Sequence, residues 1–282
     1  MRIASLSLAL VVGLSACAPT TPETAAPVAD APLPSYYQAR QDVGPNGEPI
    51  TINAVKRAYL NERNQRQRVP YNGPEEPGTI VVDPYARVLY DVMPGGEAMR
   101  FGVAVGKAGT GFAGNGVISR KQAWPSWTPT ANMIRTNPAL YGPVSGGLSG
   151  GLDNPLGARA LYLYRNGQDT YYRIHGTVDS SSIGKATSAG CIRLFQQDII
   201  DLFDDTEIGT QVKVRTPAES LALEGPMVET PQGYVVPAAQ AQAPAAAATP
   251  AAAPAAQTAA LAAPTAVMDP YAAMSPVESA VQ

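Results

Sequence analysis

Short runs of alternating apolar and polar residues, separated by turns rich in glycine and proline, fill the middle of the chain. Residues 79–83 and 88–92 form the first pair, and the turn that begins at Pro84 between them predicts a β-hairpin. Similar runs predict further strands at 98–105, 160–164, 170–175 and 209–214. The dominant period is that of a strand, so the sequence predicts a mainly β domain.

Helical spacing is convincing in one segment of this domain. Residues 196–204 carry apolar side chains at helical spacing, which predicts a short helix near the end of the domain. A weaker candidate covers 54–67, where arginine and asparagine are frequent and apolar positions are few. We interpret this second segment as a short helix or a solvated arm against the domain edge.

The first residues predict an export signal. Arg2 precedes an apolar run, 3–14, that is too short for an ordinary membrane-spanning helix. The run ends in small residues directly before Cys17, an arrangement that resembles the lipobox of bacterial lipoproteins. The resemblance implies a lipid on Cys17, and because Ala18 rather than an aspartate follows, we expect attachment to the outer membrane. A signal peptide cleaved elsewhere, with Cys17 incidental, is the alternative.

Proline and alanine are concentrated at the two ends of the chain, and this divides it into segments. Alanine- and proline-rich stretches cannot bury enough apolar area to offset the entropy lost on ordering. We therefore assign 1–16 to the signal peptide, 17–40 to the lipidated cysteine and a flexible linker, 41–77 to an N-terminal arm, 78–217 to the folded domain, and 218–282 to a disordered tail.

The charge balance and the scarcity of histidine exclude several classes of function. The 282 residues carry a formal net charge of −3, so the chain lacks the basic excess that neutralises a nucleic-acid backbone. Its single histidine leaves mostly carboxylates for any zinc site. We expect no nucleic-acid partner and no metal, and we expect the protein to be a monomer.

Two short motifs imitate known sites without their context. Residues 109–114 spell the dinucleotide fingerprint, but the following residues predict a turn and a strand where a helix is required. Ser182 and Lys185 spell the Ser-x-x-Lys motif of penicillin-binding proteins, whose Ser-Asp-Asn and Lys-Thr-Gly partners are missing from the chain. We therefore expect no cofactor.

One cysteine and the single histidine fall close together in the second half of the chain. Cys191 lies 16 positions after His175, and the other cysteine belongs to the export signal, so Cys191 is expected to be a free thiol. An adjacent imidazole can lower the pKa of a thiol by several units and later return the proton to a leaving amine. Gly190 allows close approach to the backbone, whose N–H groups can face an oxyanion. The pair is the candidate nucleophile and base, although each residue alone could be structural.

The residues around this pair resemble the L,D-transpeptidase catalytic domain family, also called YkuD-like. The family pattern is a histidine, a spacer, and then Ser/Thr-x-Gly-Cys-Ile/Val-Arg, which residues 175–177 and 188–194 match. The resemblance extends over 78–215 and implies a β-sandwich of mixed sheets with one short helix after the nucleophile loop. Ala189 stands where many members carry a second histidine.

The resemblance also implies roles for individual residues. Cys191 attacks the substrate carbonyl, His175 transfers the proton, and the Gly176 carbonyl orients the imidazole ring. We assign oxyanion binding or orientation to Gly190, Gly176 and Ser188, and substrate binding to Arg193, Thr177 and Trp127. For Trp127, which lies in the aromatic segment 124–133, packing in the core is the alternative to forming a cleft wall.

The implied substrate is the peptidoglycan stem peptide. The resemblance implies attack on the third residue of a tetrapeptide stem, release of D-alanine, and transfer to an amine, which gives a 3-3 cross-link in the periplasmic part of the cell envelope. Hydrolysis by the same site and attachment of a protein to peptidoglycan are alternatives. A non-catalytic wall-binding lipoprotein is a further one, whereas a papain-like peptidase would place its histidine after the cysteine.

Overall fold

The computed structural model describes residues 32–106, 112–188 and 190–241. All elements named below lie in the unit that begins at Pro34. The strands are β1 Arg40–Val43, β2 Pro49–Ile52, β3 Gln67–Pro70, β4 Ile80–Asp83, β5 Val88–Met93, β6 Glu97–Gly102, β7 Gly114–Ala123, β8 Arg159–Arg165, β9 Gln168–His175, β10 Ile192–Arg193, β11 Gln211–Val214, β12 Met227–Glu229 and β13 Val235–Pro237. The α-helices are α1 Ala131–Thr136, α2 Pro138–Tyr141, α3 Gln196–Asp205, α4 Pro217–Glu224 and α5 Ala238–Ala241.

Nine strands form one mixed sheet in the order β10-β9-β8-β7-β11-β4-β5-β6-β3. β9 pairs with β10 and β4 with β11 in parallel, and the remaining neighbours are antiparallel. Ala104, just after β6, also pairs with Arg193 of β10 at the opposite edge of the sheet. The sheet therefore curls round until its two halves meet, which covers the edge of β10.

The predicted class is confirmed, since the fold is mainly β with a mixed sheet and short helices. Alternate residues of the strands, such as Leu161 and Leu163 of β8, are fully buried and form the core with Ile174 of β9. Ile199 and Leu202 of α3 pack against the same core. The helix predicted at 196–204 is thus confirmed, and it buries its apolar face directly after the nucleophile segment.

Two short helices, α1 and α2, occupy the aromatic segment after β7, where the strand and turn patterns predicted no helix. Each begins at a side-chain cap: Thr130 accepts a hydrogen bond from the N–H of Met133, and Asn137 from the N–H of Leu140. They contain six and four residues. Elements this short show no helical periodicity, so only their caps could have signalled them.

The N-terminal arm differs from its prediction. The helix expected at 54–67 is absent from the structure, which has a 3-10 turn at Arg57–Tyr59 and then β3, starting at Gln67. Buried Asn64 explains this, because its amide donates to the carbonyls of Tyr59 and Ile183 and so ties the chain to the domain. β3 joins the main sheet, so the fold begins before residue 78.

Regular structure also continues past the predicted domain end at 217. Helix α4 starts with a capping box formed by Thr216 and Glu219, and a β12–β13 hairpin follows it. Residues 218–241 therefore do not belong to a disordered tail. The rest of that predicted tail, the signal peptide and Cys17 lie outside the described residues, as does the first half of the glycine-rich motif at 109–114.

The last glycine of that motif, Gly114, begins strand β7, so the helix that a dinucleotide fingerprint requires does not follow it. Ser182 ends a 3-10 turn at Ser180–Ser182, so the Ser-x-x-Lys sequence lies in a loop. None of the helices in the three described stretches is long and apolar enough to cross a membrane.

The buried side chain of Asp83 joins α4 to the sheet and gives a stability test. Asp83 is fully buried, accepts a hydrogen bond from Ser220, and pairs with Arg215 at 3.3 Å. Asp83→Ala breaks this pair and removes the acceptor of Ser220 and of the Ala86 N–H, while Glu224 still binds Arg215 at 2.9 Å. We therefore expect it to lower the free energy of unfolding by about 3 kcal/mol. The measurement is chemical denaturation of the purified protein.

Glu97→Ala is the matched control, because the Arg68–Glu97 pair is 57% and 42% exposed. Its removal is expected to cost less than about 1 kcal/mol. Equal losses in the two variants would contradict the view that α4 is held by a buried charge pair.

Candidate active site

The parallel pairing of β9 with β10 brings the candidate residues together. Arg193 lies opposite His175 in this register. Cys191 immediately precedes β10, and its Sγ lies 4.0 Å from the carbonyl oxygen of Tyr171 in β9. The sequence separates the thiol and the imidazole by 16 positions, and the sheet places Cys191 directly before β10, the strand that pairs with the His175 end of β9.

The imidazole of His175 is held in one tautomer. The side chain is fully buried, and its Nδ1 lies 2.6 Å from the carbonyl oxygen of Gly176. A carbonyl can only accept, so Nδ1 carries the proton and Nε2 of the neutral ring is the basic nitrogen. Burial and the nearby Arg193 guanidinium lower the pKa of His175 to about 3, against hydrogen bonds to the backbone of Gly176 and Leu156.

Gln196, the first residue of α3, supports the backbone behind the histidine. A Cβ atom at Gly176 would run into the Gln196 side-chain oxygen, which also accepts the N–H of Ala158 at 2.9 Å. A Cβ at Gly157 would meet the same amide. A side chain at 176 would displace the Gln196 amide, so the carbonyl that orients His175 lies in a tight contact between a strand and a helix. The sequence carried no signal for Gln196 beyond its place after the motif.

The thiol of Cys191 is protonated at neutral pH. The residue is partly exposed, and its Sγ lies 4.0 Å from the carbonyl oxygen of Tyr171. Desolvation raises the pKa of Cys191, while the backbone N–H of Arg173 and the guanidinium groups of Arg173 and Arg193 act in the opposite direction. We expected the imidazole to lower this pKa. Burial instead raises the pKa of Cys191 and lowers that of His175, which favours the neutral form of both side chains.

Ser188 holds the loop that carries Cys191. Its hydroxyl donates to the carbonyl of Cys191 at 2.6 Å and accepts the N–H of Gly190 at 3.1 Å. Gly190 has φ +135°, which other residues rarely adopt. The predicted oxyanion donor at Gly190 is thus bound to Ser188 in this conformation, and Ala189 between them lies outside the described residues.

The three residues predicted to bind substrate are buried. Arg193 is 1% exposed, and its backbone N–H and carbonyl pair with Ala104. The Thr177 hydroxyl accepts the N–H of Asp179 within a turn. Trp127 packs in an apolar cluster with Tyr141, Met133 and Leu156. Their positions suit structural roles, and direct contact with a substrate remains a prediction for each.

A comparison with known families assigns the domain to a family. Residues 77–214 match the family model described as YkuD, the L,D-transpeptidase catalytic domain. These residues belong to the YkuD L,D-transpeptidase family. This L,D-transpeptidase domain contains all the residues that the sequence analysis assigned to the site, apart from Cys17.

Individual relatives give a partial match. Probable L,D-transpeptidase ErfK/SrfK of Escherichia coli (strain K12) is 37% identical over 138 residues, which are 48% of this chain and 43% of that protein. Probable L,D-transpeptidase YbiS of the same strain is 42% identical over 96 residues, 34% of this chain and 30% of that protein. The match therefore spans less than half the length of these relatives.

A solved structure from Brucella melitensis, named a probable carnitine operon oxidoreductase, is 46% identical to this chain. The match covers 54% of this chain and 94% of that one, with a TM-score of 0.39. Neither that name nor this superposition bears on the chemistry of the L,D-transpeptidase site. Within the described ranges, no group of three or more His, Cys, Asp or Glu side chains could hold a metal ion.

The raised pKa of Cys191 predicts how its alkylation depends on pH. Because the thiolate forms only above the usual range, the rate of alkylation by iodoacetamide should keep rising between about pH 7 and pH 10. Arg173→Gln removes a cation that favours the thiolate, so its profile should move to higher pH. Mass spectrometry of the modified protein measures both profiles. A rate that is already constant at neutral pH would indicate a thiolate–imidazolium pair instead.

Proposed function

We propose that this protein is a peptidoglycan L,D-transpeptidase with Cys191 as its nucleophile. The observation that carries the proposal is the β9–β10 pairing, in which Arg193, two residues after the thiol, lies opposite His175, whose Nε2 is the basic nitrogen. Membership of residues 77–214 in the L,D-transpeptidase family supports the reaction type. The family resemblance supplies the substrate, a tetrapeptide stem that ends in D-alanine.

Acylation begins from the neutral pair. Sγ of Cys191 attacks the carbonyl carbon at the L-centre of the third stem residue, and its proton passes to Nε2 of His175. The resulting imidazolium then protonates the leaving nitrogen, so the C–N bond breaks and D-alanine departs. The product is a thioester between Cys191 and the stem.

Transfer reverses the proton movements. An amine of a neighbouring stem attacks the thioester, His175 accepts a proton from it, and that proton returns to the sulfur as the C–S bond breaks. The new amide is a 3-3 cross-link. Water in place of the amine would give a carboxypeptidase, and a protein amine would attach that protein to the wall.

Negative charge develops on the carbonyl oxygen in both steps. The backbone N–H groups of Gly190 and Cys191 are the proposed donors, each worth about 3 kcal/mol in comparable sites. Gly190 donates to Ser188 in the free protein, so this role requires the loop to exchange one acceptor for another. The Arg193 guanidinium adds a fixed positive charge close to the reacting groups.

Cys191→Ala tests the proposed function directly. Incubated with tetrapeptide muropeptides, the wild-type protein should give dimers whose mass equals two stems less one D-alanine, and Cys191→Ala should give none. A carbapenem should also acylate the wild-type protein alone, as seen by intact mass. Circular dichroism of the variant controls for folding.

Each product mass identifies one reaction. Loss of D-alanine with gain of water would replace the transpeptidase by a carboxypeptidase that uses the same site. Unchanged dimers from Cys191→Ala would exclude Cys191 as the nucleophile. No products from either protein would leave only a wall-associated lipoprotein.

We also propose a lipid on Cys17 that attaches the protein to the outer membrane facing the periplasm, on the strength of the lipobox resemblance. Several acyl chains together hold a protein firmly, since each buried methylene contributes about 0.8 kcal/mol. Cys17→Ser should move the protein from the detergent phase to the aqueous phase in a phase-partition experiment on cell extracts. Cys191→Ser is the control and should stay in the detergent phase.

A further inference from the structure

Strand β9 is irregular next to the nucleophile. Its pairing with β8 sets Tyr162 opposite Arg173 and Tyr164 opposite Asp169, so β9 uses four residues where β8 uses two. The additional residues bulge from the sheet. At the bulge, Tyr171 has φ +61°, a left-handed conformation that is unfavourable for a large L-residue.

Side-chain hydrogen bonds hold this conformation in place. Asp169 accepts the N–H of Tyr171 at 2.8 Å, and both of its oxygens bind the guanidinium of Arg173, at 2.7 and 2.8 Å. The Thr170 hydroxyl donates to the carbonyl of Leu163 at 2.6 Å. The bulge is therefore a built feature of the strand and not a frayed end.

The bulge faces the nucleophile, and its tyrosine points into solvent. The carbonyl oxygen of Tyr171 lies 4.0 Å from Sγ of Cys191, yet the Tyr171 side chain is 81% exposed. The next residue, Tyr172, packs against Phe112 with ring centroids 5.5 Å apart. One of two adjacent tyrosines thus contributes to the core, and the other adds almost nothing to it.

An exposed aromatic ring on strained backbone beside a reactive sulfur has no explanation in the stability of the fold, and such strain is concentrated at functional sites. We propose that Tyr171 is a specificity-determining residue whose ring packs against the aliphatic side chain of the third residue of the donor stem. This inference rests on the proposed function. The ring is attached at the residue whose carbonyl contacts the attacking sulfur, so the group it covers is the one next to the attacked carbonyl.

The charges of Asp169 and Arg173, next to Tyr171, compensate each other. Arg173 lies 5.9 Å from the Tyr171 ring centroid and is largely buried against Tyr162, where Asp169 neutralises it. Tyr171 is therefore flanked by a compensated ion pair, and its own contribution to a ligand is apolar contact. Loss of one apolar contact of this size reduces discrimination by about 10–200-fold.

Tyr171→Gly removes the ring and preserves the backbone conformation, because glycine adopts φ +61° without strain. We expect this variant to fold at least as stably as the wild type and to lower kcat/KM for acylation by the tetrapeptide donor about 10–100-fold, mainly through KM. Tyr171→Phe should recover most of the loss, since it keeps the ring. Single-turnover mass spectrometry of the thioester at several donor concentrations provides the rates.

Two controls identify the cause. Alkylation of Cys191 by iodoacetamide should be the same in Tyr171→Gly and in the wild type, because that reagent is too small to need the ring. Tyr36→Ala removes another exposed tyrosine, 39% accessible and at the start of the fold, and should leave acylation unchanged.

The outcomes distinguish this inference from the proposed function. A kcat/KM of Tyr171→Gly within twofold of the wild type, or an equal loss of iodoacetamide reactivity, would overturn the specificity role while Cys191 remains the nucleophile. If the wild-type protein forms no thioester although its thiol is alkylated, the proposed function itself fails.

Discussion

The hydrogen bonds on the two sides of β10 fix the position of the segment that carries Cys191. β10 contains two residues, which is too short to be stable alone. It pairs in parallel with β9 on one side, and on the other Arg193 exchanges both backbone hydrogen bonds with Ala104. The segment that carries Cys191 is therefore anchored between two parts of the chain that are distant in sequence, and its position relative to His175 follows from that closure of the sheet.

Burial is the largest cause of the pKa shifts of His175 and Cys191. His175 lies fully inside the domain next to a buried guanidinium, so its imidazole is neutral near pH 7, and desolvation keeps the Cys191 thiol protonated. Such a pair carries no charge until a substrate arrives. In the proposed reaction, proton transfer accompanies the attack, and hydrogen-bond donors that face the oxygen stabilise the charge being formed.

The parts of the chain outside residues 77–214 contribute to the same folded unit. Near the N-terminus, Tyr37 is fully buried, and its hydroxyl binds Asp198 of α3 at 3.1 Å. At the other end, Ser220 of α4 and Arg215 both bind Asp83. Polar contacts between buried groups are specific, so these additions extend the catalytic domain on two sides and bring the N-terminal arm against the helix that follows the nucleophile.

The sequence alone determined the β class, helix α3 and the family of the domain, because alternation, helical spacing and a motif in register are local patterns. The catalytic roles of Cys191 and His175 stay predictions. It failed at the 54–67 helix, at the start of the tail, and at α1 and α2, where the outcome depends on buried Asn64, on the contacts of α4 or on single caps. Only the tertiary structure could show that Gln196 supports Gly176, that Arg193 is buried, and that Tyr171 is exposed beside the thiol. Those facts depend on which strands become neighbours when the sheet closes. Strand pairing joins residues that are distant in the sequence, so local sequence patterns do not specify it.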